Sequence, residues 1–307
     1  MKHNKTLLKG GQSNMKKFLN IILAIYLGVL LVGCSSNASS SENKSSSNAS
    51  EKKEVILGMT TGIEDAGLLD VIIPAFEKET GYKTKTVSVG TGQALALAQK
   101  GEVDAIFVNS PPAEKQALKD GYIINRRLAM HNDFVVIGPE SDNAKIKGTK
   151  DVLQALTTIA NTQSQFISRA DDSGTNKLEM SLWKQTSVTP KGSPWYVEAG
   201  AGMSQTLKIA NEKNAYTITD RATYLFNKKV LSLPVLSEGD PKLINLYSVS
   251  EVNKEKFSRV NSEGAKAFTD FVLSKNGQEL IAKHGKEQVG QYLFTADGGK
   301  ADKDYGF

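Results

Sequence analysis

Val55-Ile56-Leu57-Gly58-Met59-Thr60-Thr61-Gly62-Ile63-Glu64-Asp65-Ala66-Gly67 passes from an apolar run into small and hydroxylated residues. Val55 to Met59 reads as a buried strand and Thr60 to Gly67 as a loop. Leu68 to Thr80 then spaces its apolar residues as an amphipathic helix, with Gly81 just past its end. A strand that feeds a helix through a small-residue loop is the building unit of an α/β protein.

The unit recurs along the chain. Strands are expected at Tyr82 to Val89, Asp104 to Asn109, Asp133 to Gly138, Gln165 to Ser168 and Ala215 to Thr219, with a further extended stretch over Lys242 to Val249. Helices are expected over Gln93 to Lys100, Glu114 to Asp120, Asp151 to Asn161, Asn176 to Gln185, Met203 to Asn211, Arg221 to Phe226, Gly264 to Leu273 and Gln278 to His284. Strands alternating with helices imply a mostly parallel, helix-covered sheet.

The first residues read differently. Lys16 and Lys17 precede an apolar run from Phe18 to Val32, which ends in Leu31-Val32-Gly33-Cys34. A basic start, a short hydrophobic stretch and small residues before a cysteine describe a secretory signal. The run is shorter than the ~20 apolar residues of a membrane-spanning helix. The Leu-x-Gly-Cys ending resembles a bacterial lipobox, with residues 1–33 removed and Cys34 lipidated. Met15 is an alternative start. Cys34 is the only cysteine of the chain, so it has neither a disulfide partner nor a thiol companion for a metal. Residues 34–53, rich in Ser and Asn, cannot bury enough apolar surface to offset ordering entropy and are expected to be a tether. This places the protein on the extracytoplasmic face of a bacterial membrane.

The formal charge of +5 comes from that leader: its five lysines face no acid, and without them 33 basic residues balance 33 acidic ones. No basic stripe interleaved with aromatics occurs, so nucleic acid is excluded as a partner.

Three strand–loop–helix passages carry the candidate chemistry: Thr60-Thr61-Gly62, Gly90-Thr91-Gly92, and Ser168-Arg169-Ala170-Asp171-Asp172-Ser173-Gly174-Thr175. In open α/β sheets ligands bind beyond the carboxyl ends of strands, where such loops gather. The helices that follow present unpaired N–H groups and a positive dipole end, which suit an anion. Thr60, Thr61, Thr91, Ser168, Ser173 and Thr175 offer hydroxyls, and Gly62, Gly92 and Gly174 allow close backbone approach. Arg169 supplies a rigid fork of donors. Each loop taken singly also reads as helix capping and turn chemistry. Gly90-x-Gly92 is not a dinucleotide fingerprint, because the third glycine and the spaced acid are absent.

The combination of stretches resembles the tungstate-binding family among the substrate-binding lipoproteins of ABC importers, across the mature domain. It is carried by Gly67-Leu-Leu-Asp70, Ile73-Pro-Ala-Phe-Glu77, Val89-Gly-Thr-Gly-Gln-Ala-Leu95, Asn125-Arg-Arg127 and Asn132-Asp-Phe-Val-Val-Ile-Gly-Pro139, then by the Ser168 to Thr175 loop and Asn211 to Arg221. The resemblance implies a periplasmic-binding-protein-like type II fold, two α/β lobes joined by two crossing strands. Lobe one would be 54–138 plus 246–307, and lobe two 139–245. Thr60, Thr61 and Thr91 would face a tungstate or molybdate ion from lobe one, and Ser168, Arg169, Ser173 and Thr175 from lobe two. A membrane permease with a cytoplasmic ATPase would be the partner. The protein would act as a monomer, with no cofactor and no metal beyond the oxyanion.

One departure stands out. Related proteins commonly carry Thr-Thr-Thr-Ser where this chain has Met59-Thr60-Thr61-Gly62, and Ala66 replaces a frequent Ser. A lost hydrogen bond to a charged group is worth roughly 1.5–3 kcal/mol, enough to shift selectivity. Phosphate is the competing ligand, because Arg169-x-Asp171-x-Ser173-Gly174-Thr175 is similar to a loop of phosphate-binding proteins. A carboxylate aimed into the cleft would accept the proton of hydrogen phosphate. If Asp171 instead pairs with Arg169 or caps the helix, the tungstate reading stands. An oxyanion sensor would have the same sequence. An enzyme is poorly supported, since the histidines are His3, His131 and His284 and no nucleophile elbow or metal-spaced cluster occurs.

Overall fold

The computed structural model describes residues 54–306, so the leader, Cys34 and the tether lie outside the described residues. In chain order the elements are β1 (Glu54–Thr60), α1 (Thr61–Asp65), α2 (Leu69–Thr80), β2 (Lys83–Val89), α3 (Thr91–Gln99), β3 (Ala105–Val108) and α4 (Pro111–Lys119). Next come β4 (Ile123–Ile137), α5 (Val152–Asn161), β5 (Phe166–Ser168), α6 (Gly174–Gln185), β6 (Tyr196–Glu198), α7 (Met203–Lys213), β7 (Thr217–Asp220), α8 (Arg221–Asn227) and β8 (Val235–Ser237). The last are β9 (Ile244–Val252), α9 (Ser262–Leu273), α10 (Lys275–Lys283), α11 (Lys286–Val289) and β10 (Thr295–Ala296).

The expectation of a mostly parallel sheet needs correction. β1 pairs in parallel with β2 and β3, and β5 with β6, but β9 runs antiparallel to both β3 and β4. β4 is also antiparallel to β7, β8 and β10. The sheet is mixed because the chain returns through β9 between β3 and β4, reversing direction in the middle.

Alternation of side chains explains why these strands are nearly all apolar. Ala105 and Phe107 of β3 enter one core with Val55, Leu57, Phe76 and Phe268, while Ile106 and Val108 enter another with Ala94, Leu95 and Val252. β4 does the same further on. Phe134 and Val136 pack with Leu156, Trp183 and Tyr216, and Val135 and Ile137 with Met203, Leu207 and Leu233. Sheets covered on both faces give two α/β lobes, each with two cores.

Two strands join the lobes. The first part of β4 pairs with β9, from Ile123↔Val252 to Asp133↔Ile244, and its last part with β7, from Phe134↔Asp220 to Ile137↔Thr217. β4 therefore belongs to both lobes, and β9 begins where it changes partner. The polar Asn125-Arg126-Arg127, which hid the first part of β4 from pattern reading, forms a bulge where Asn125 adopts φ 53. Arg126 is held there by Glu114 and Asp302, and Arg127 by Asp270.

The helix ends follow local chemistry. Gly81, at φ 75, closes α2 by donating its N–H to Glu77 O at 2.9 Å. The loop expected over Thr60 to Gly67 instead contains α1, a single turn that Gly62 within it and Gly67 beyond it disguised. α3 and α6 start earlier than expected, at Thr91 and Gly174.

Candidate functional site

β1, β2 and β5 end at Thr60, Val89 and Ser168, and each passes within a few residues into a helix, α1, α3 or α6. The fold brings these three passages together. Arg169, only 2% exposed, donates from Nη2 to Thr61 Oγ1 at 3.1 Å and from Nη1 to Thr175 Oγ1 at 3.4 Å. The Gly92 N–H donates to Asp172 O at 3.1 Å. A Cβ on Gly90 would stand 2.9 Å from Asp171 O, and one on Gly174 would stand 2.5 Å from Asn109 O. The glycines thus allow the backbones of the two lobes to interdigitate. A further tie across the cleft runs from the Ser204 N–H to Asp65 Oδ2 at 3.3 Å.

The hydroxyls are not equally available. Thr91, fully buried, donates to Asn109 Oδ1 at 2.8 Å. Ser168 donates to Glu179 Oε2 at 2.7 Å, so its proton is directed away from the cleft. Glu179 also accepts from Tyr196 Oη and Trp183 Nε1, and burial pushes its pKa up against those donors. Ser173 caps α6, accepting from the Asn176 N–H at 3.2 Å, which leaves its own O–H to donate. Thr60 is buried at the end of β1, and Gly62 lies in α1.

Asp171 turns towards Arg169. Its Oδ2 accepts from Arg169 Nη2 at 2.6 Å and its Oδ1 from the Ser173 N–H at 3.3 Å. It therefore pairs with the arginine and closes a turn onto Ser173, the residue that caps α6. Ala170 and Asp172 hold φ of 49 and 58, a conformation that L-residues adopt at some cost and that functional loops retain. Arg169 Nε is buried without a hydrogen-bond partner among the described residues. A buried guanidinium N–H left unpaired is costly unless an acceptor is brought to it.

Pattern reading missed a second layer. Asn109 Nδ2 donates to Asn245 Oδ1 at 2.9 Å, and Asn245 Nδ2 donates to Asn132 Oδ1 at 2.7 Å and Tyr247 Oη at 2.9 Å. Asn132 Nδ2 reaches Asp220 Oδ1 at 3.5 Å. This chain of amides runs from the end of β3 across the two joining strands and ends on a carboxyl 2% exposed. Burial raises the Asp220 pKa; Arg169 opposes the shift and Asp65 adds to it. Tyr247 is raised well above the usual phenol value, first by burial and then by Asp220. The signal for Asp220 was present: Thr217-Ile-Thr-Asp220 before Arg221 is a fourth strand-to-helix passage. An adjoining cavity of about 360 Å³ is lined by Asn109, Ser110, Pro112, Gly174, Lys177 and Asn245.

Phe166, Trp183 and Tyr196 are structural. Trp183 stacks edge-on with Phe166 and Tyr196 in the second lobe's core. His131 bonds to Asp297 at 2.6 Å, and His284, 4% exposed, bonds to Ala66 O at 2.7 Å.

Most of the chain is similar to known proteins. The family model described as the PBP superfamily domain matches residues 41–276. A tungstate-binding protein TupA of Peptoclostridium acidaminophilum is 43% identical over 289 residues, covering 93% of this chain and 100% of the relative. The crystal structure of the tungstate ABC transporter from Geobacter sulfurreducens aligns with TM-score 0.69 at 41% identity, over 77% of this chain and 100% of that one. The tungstate-binding protein TupA from Desulfovibrio alaskensis G20 aligns with TM-score 0.67 at 38% identity, over 80% and 99%.

Proposed function

The chain belongs to the PBP superfamily and, within it, to the family of the tungstate-binding TupA proteins, and from that premise we propose that it captures tungstate or molybdate between its lobes and hands the ion to an ABC importer. It is a solute-binding protein of transport rather than an enzyme. The lobes are taken as 54–138 with 246–307, and 139–245.

Arg169 carries the reading. It is a buried guanidinium lying between the lobes, bonded to Thr61 of one and Thr175 of the other, with Nε still lacking an acceptor. Tungstate and molybdate are fully deprotonated near neutral pH, so their oxygens only accept hydrogen bonds. N–H groups from the first turns of α3 and α6, the Ser173 and Thr175 hydroxyls and Arg169 would supply donors. Asp171 is engaged with Arg169 and the Ser173 N–H, which favours this ligand over hydrogen phosphate.

Closure follows from differential contact. The ions would touch both lobes only in the shut form, where Gly92 meets Asp172 and Ser204 meets Asp65, so binding shifts the population towards it. The shut form would dock on a permease driven by a cytoplasmic ATPase. Export by the leader and lipidation at Cys34 would keep the protein at the outer face of the cell membrane, tethered through residues 34–53.

The test is a thermal melt with and without sodium tungstate. Saturating tungstate is expected to raise the melting temperature, by an amount that grows with concentration relative to Kd. An unchanged melting temperature at millimolar tungstate contradicts the reading.

A further inference from the structure

Asp220 closes β7 and caps α8, accepting from the Thr223 N–H at 2.8 Å. A cap alone does not require the rest of its surroundings. Its Oδ1 takes both the Thr223 N–H and, at 3.5 Å, the Asn132 amide. Its Oδ2 stands 3.8 Å from the point a Cβ on Gly62 would occupy, and Tyr247 Oη stands 3.5 Å from the same point. Gly62 lies one residue after Thr61, which holds Arg169. The carboxyl therefore faces the region that Thr61, Gly62 and Arg169 enclose.

We propose that Asp220 is a further ligand-binding residue of the oxyanion cage, and that each dianion captured is accompanied by uptake of one proton from solvent onto Asp220 Oδ2. This rests on the oxyanion reading given above and deepens it. Two donors already fix Oδ1 as an acceptor, so the proton goes to Oδ2, on the side of Gly62. The O–H then joins the donors around the ligand. The overall step is an ionised Asp220 plus a dianion plus one proton from the buffer, giving a protonated Asp220 beside the bound dianion.

Charge around the carboxyl supports the direction. Asp65 approaches from α1, Arg169 from the loop after β5 with Asp171 bound to it, and Tyr247 from β9; Asn132 on β4 and Thr223 on α8 are neutral. The single cation is already paired. A bound dianion beside an ionised Asp220 would add repulsion in a site closed to water, where screening is weak. Burial already pushes Asp220 towards its neutral form, and the ligand pushes it further.

Calorimetric titration of the intact chain with sodium tungstate tests this, run over a series of pH values in two buffers of different ionisation enthalpy. Above the range where free Asp220 ionises, wild type is expected to take up close to one proton per tungstate bound, and Asp220→Asn none while still binding. Tungstate Kd should rise about tenfold per pH unit in wild type above the range where free Asp220 ionises, and stay flat in the variant. Asp220→Ser, whose hydroxyl also accepts from the Thr223 N–H, provides a second folded background. Tungstate binding without proton uptake in wild type, or with equal uptake in the variants, overturns the role of Asp220 and leaves the oxyanion reading standing. Absence of tungstate binding in every form overturns the oxyanion reading itself.

Discussion

Arg169 Nη2 donates to Thr61 Oγ1 across the interlobe cleft at 3.1 Å, while the same nitrogen donates to Asp171 Oδ2 at 2.6 Å. The guanidinium is thus positioned by its own loop and presented to the opposite lobe.

Arg169→Ala should remove most of the affinity for tungstate. Truncating one partner of a buried, hydrogen-bonded charge pair costs roughly 2–5 kcal/mol, about 30-fold to several thousandfold in Kd. Arg169→Lys should fall between, since a lysine keeps the charge and loses the fork. Titration calorimetry reads both, and undiminished affinity in the alanine variant would remove Arg169 from the site.

Gly62→Ser should fit. Its Cβ would meet Tyr247 Oη at 3.5 Å and Asp220 Oδ2 at 3.8 Å, ordinary contact distances. The added hydroxyl would restore a donor to the cage, worth roughly 1–2 kcal/mol and so about 5- to 30-fold in affinity. A Kd for tungstate that rises instead would show that the space beside Gly62 is used by the ligand itself.

Gly174→Ala should hold the lobes apart. The new Cβ would stand 2.5 Å from the backbone oxygen of Asn109, which cannot rotate away. Overpacking of this kind costs roughly 1–3 kcal/mol, charged here to closure and not to either core. Small-angle scattering with tungstate present should show a larger radius of gyration than wild type, with thermal unfolding of the free protein nearly unchanged. Identical scattering would contradict the interdigitated packing.

Asp297→Asn addresses stability away from the cleft. Burial alone would raise the Asp297 pKa, but hydrogen bonds from His131, Lys300 and Tyr305 outweigh it, and the carboxyl is lowered below the usual value. A lowered folded pKa means stability that is present above the unfolded value and lost as pH falls through the folded one. Near neutral pH the variant should lose roughly 1–3 kcal/mol. Denaturant unfolding at a series of pH values should show the gap closing on acidification below the ordinary aspartate range. A gap that stays constant would contradict the assignment.

What could be read in advance was what local pattern encodes. The apolar run of β3 and Gly81 at the end of α2 carry their roles in one or two neighbours, and the three small-residue loops announced themselves by following strands. The first part of β4 did not, because the partners that hold Arg126 and Arg127 lie on α4, on α9 and near the carboxyl end. Asn109, Asn132, Asn245 and Tyr247 were equally silent. Each looks like an ordinary strand residue until β3, β4 and β9 are set side by side. Asp220 sits between these cases: its capping role is local, but its approach to Gly62 exists only after the lobes meet.

The central claim is that donors from both lobes converge on one oxyanion held by Arg169. Its most direct test is a crystal of the protein with tungstate, with tungsten located by its anomalous scattering. The account predicts a single strong site between the lobes, with tungstate oxygens within hydrogen-bond distance of Arg169 and of groups on the α3 and α6 amino ends. Tungsten found only on the outer surface, with Arg169 Nε still facing no acceptor, would contradict it.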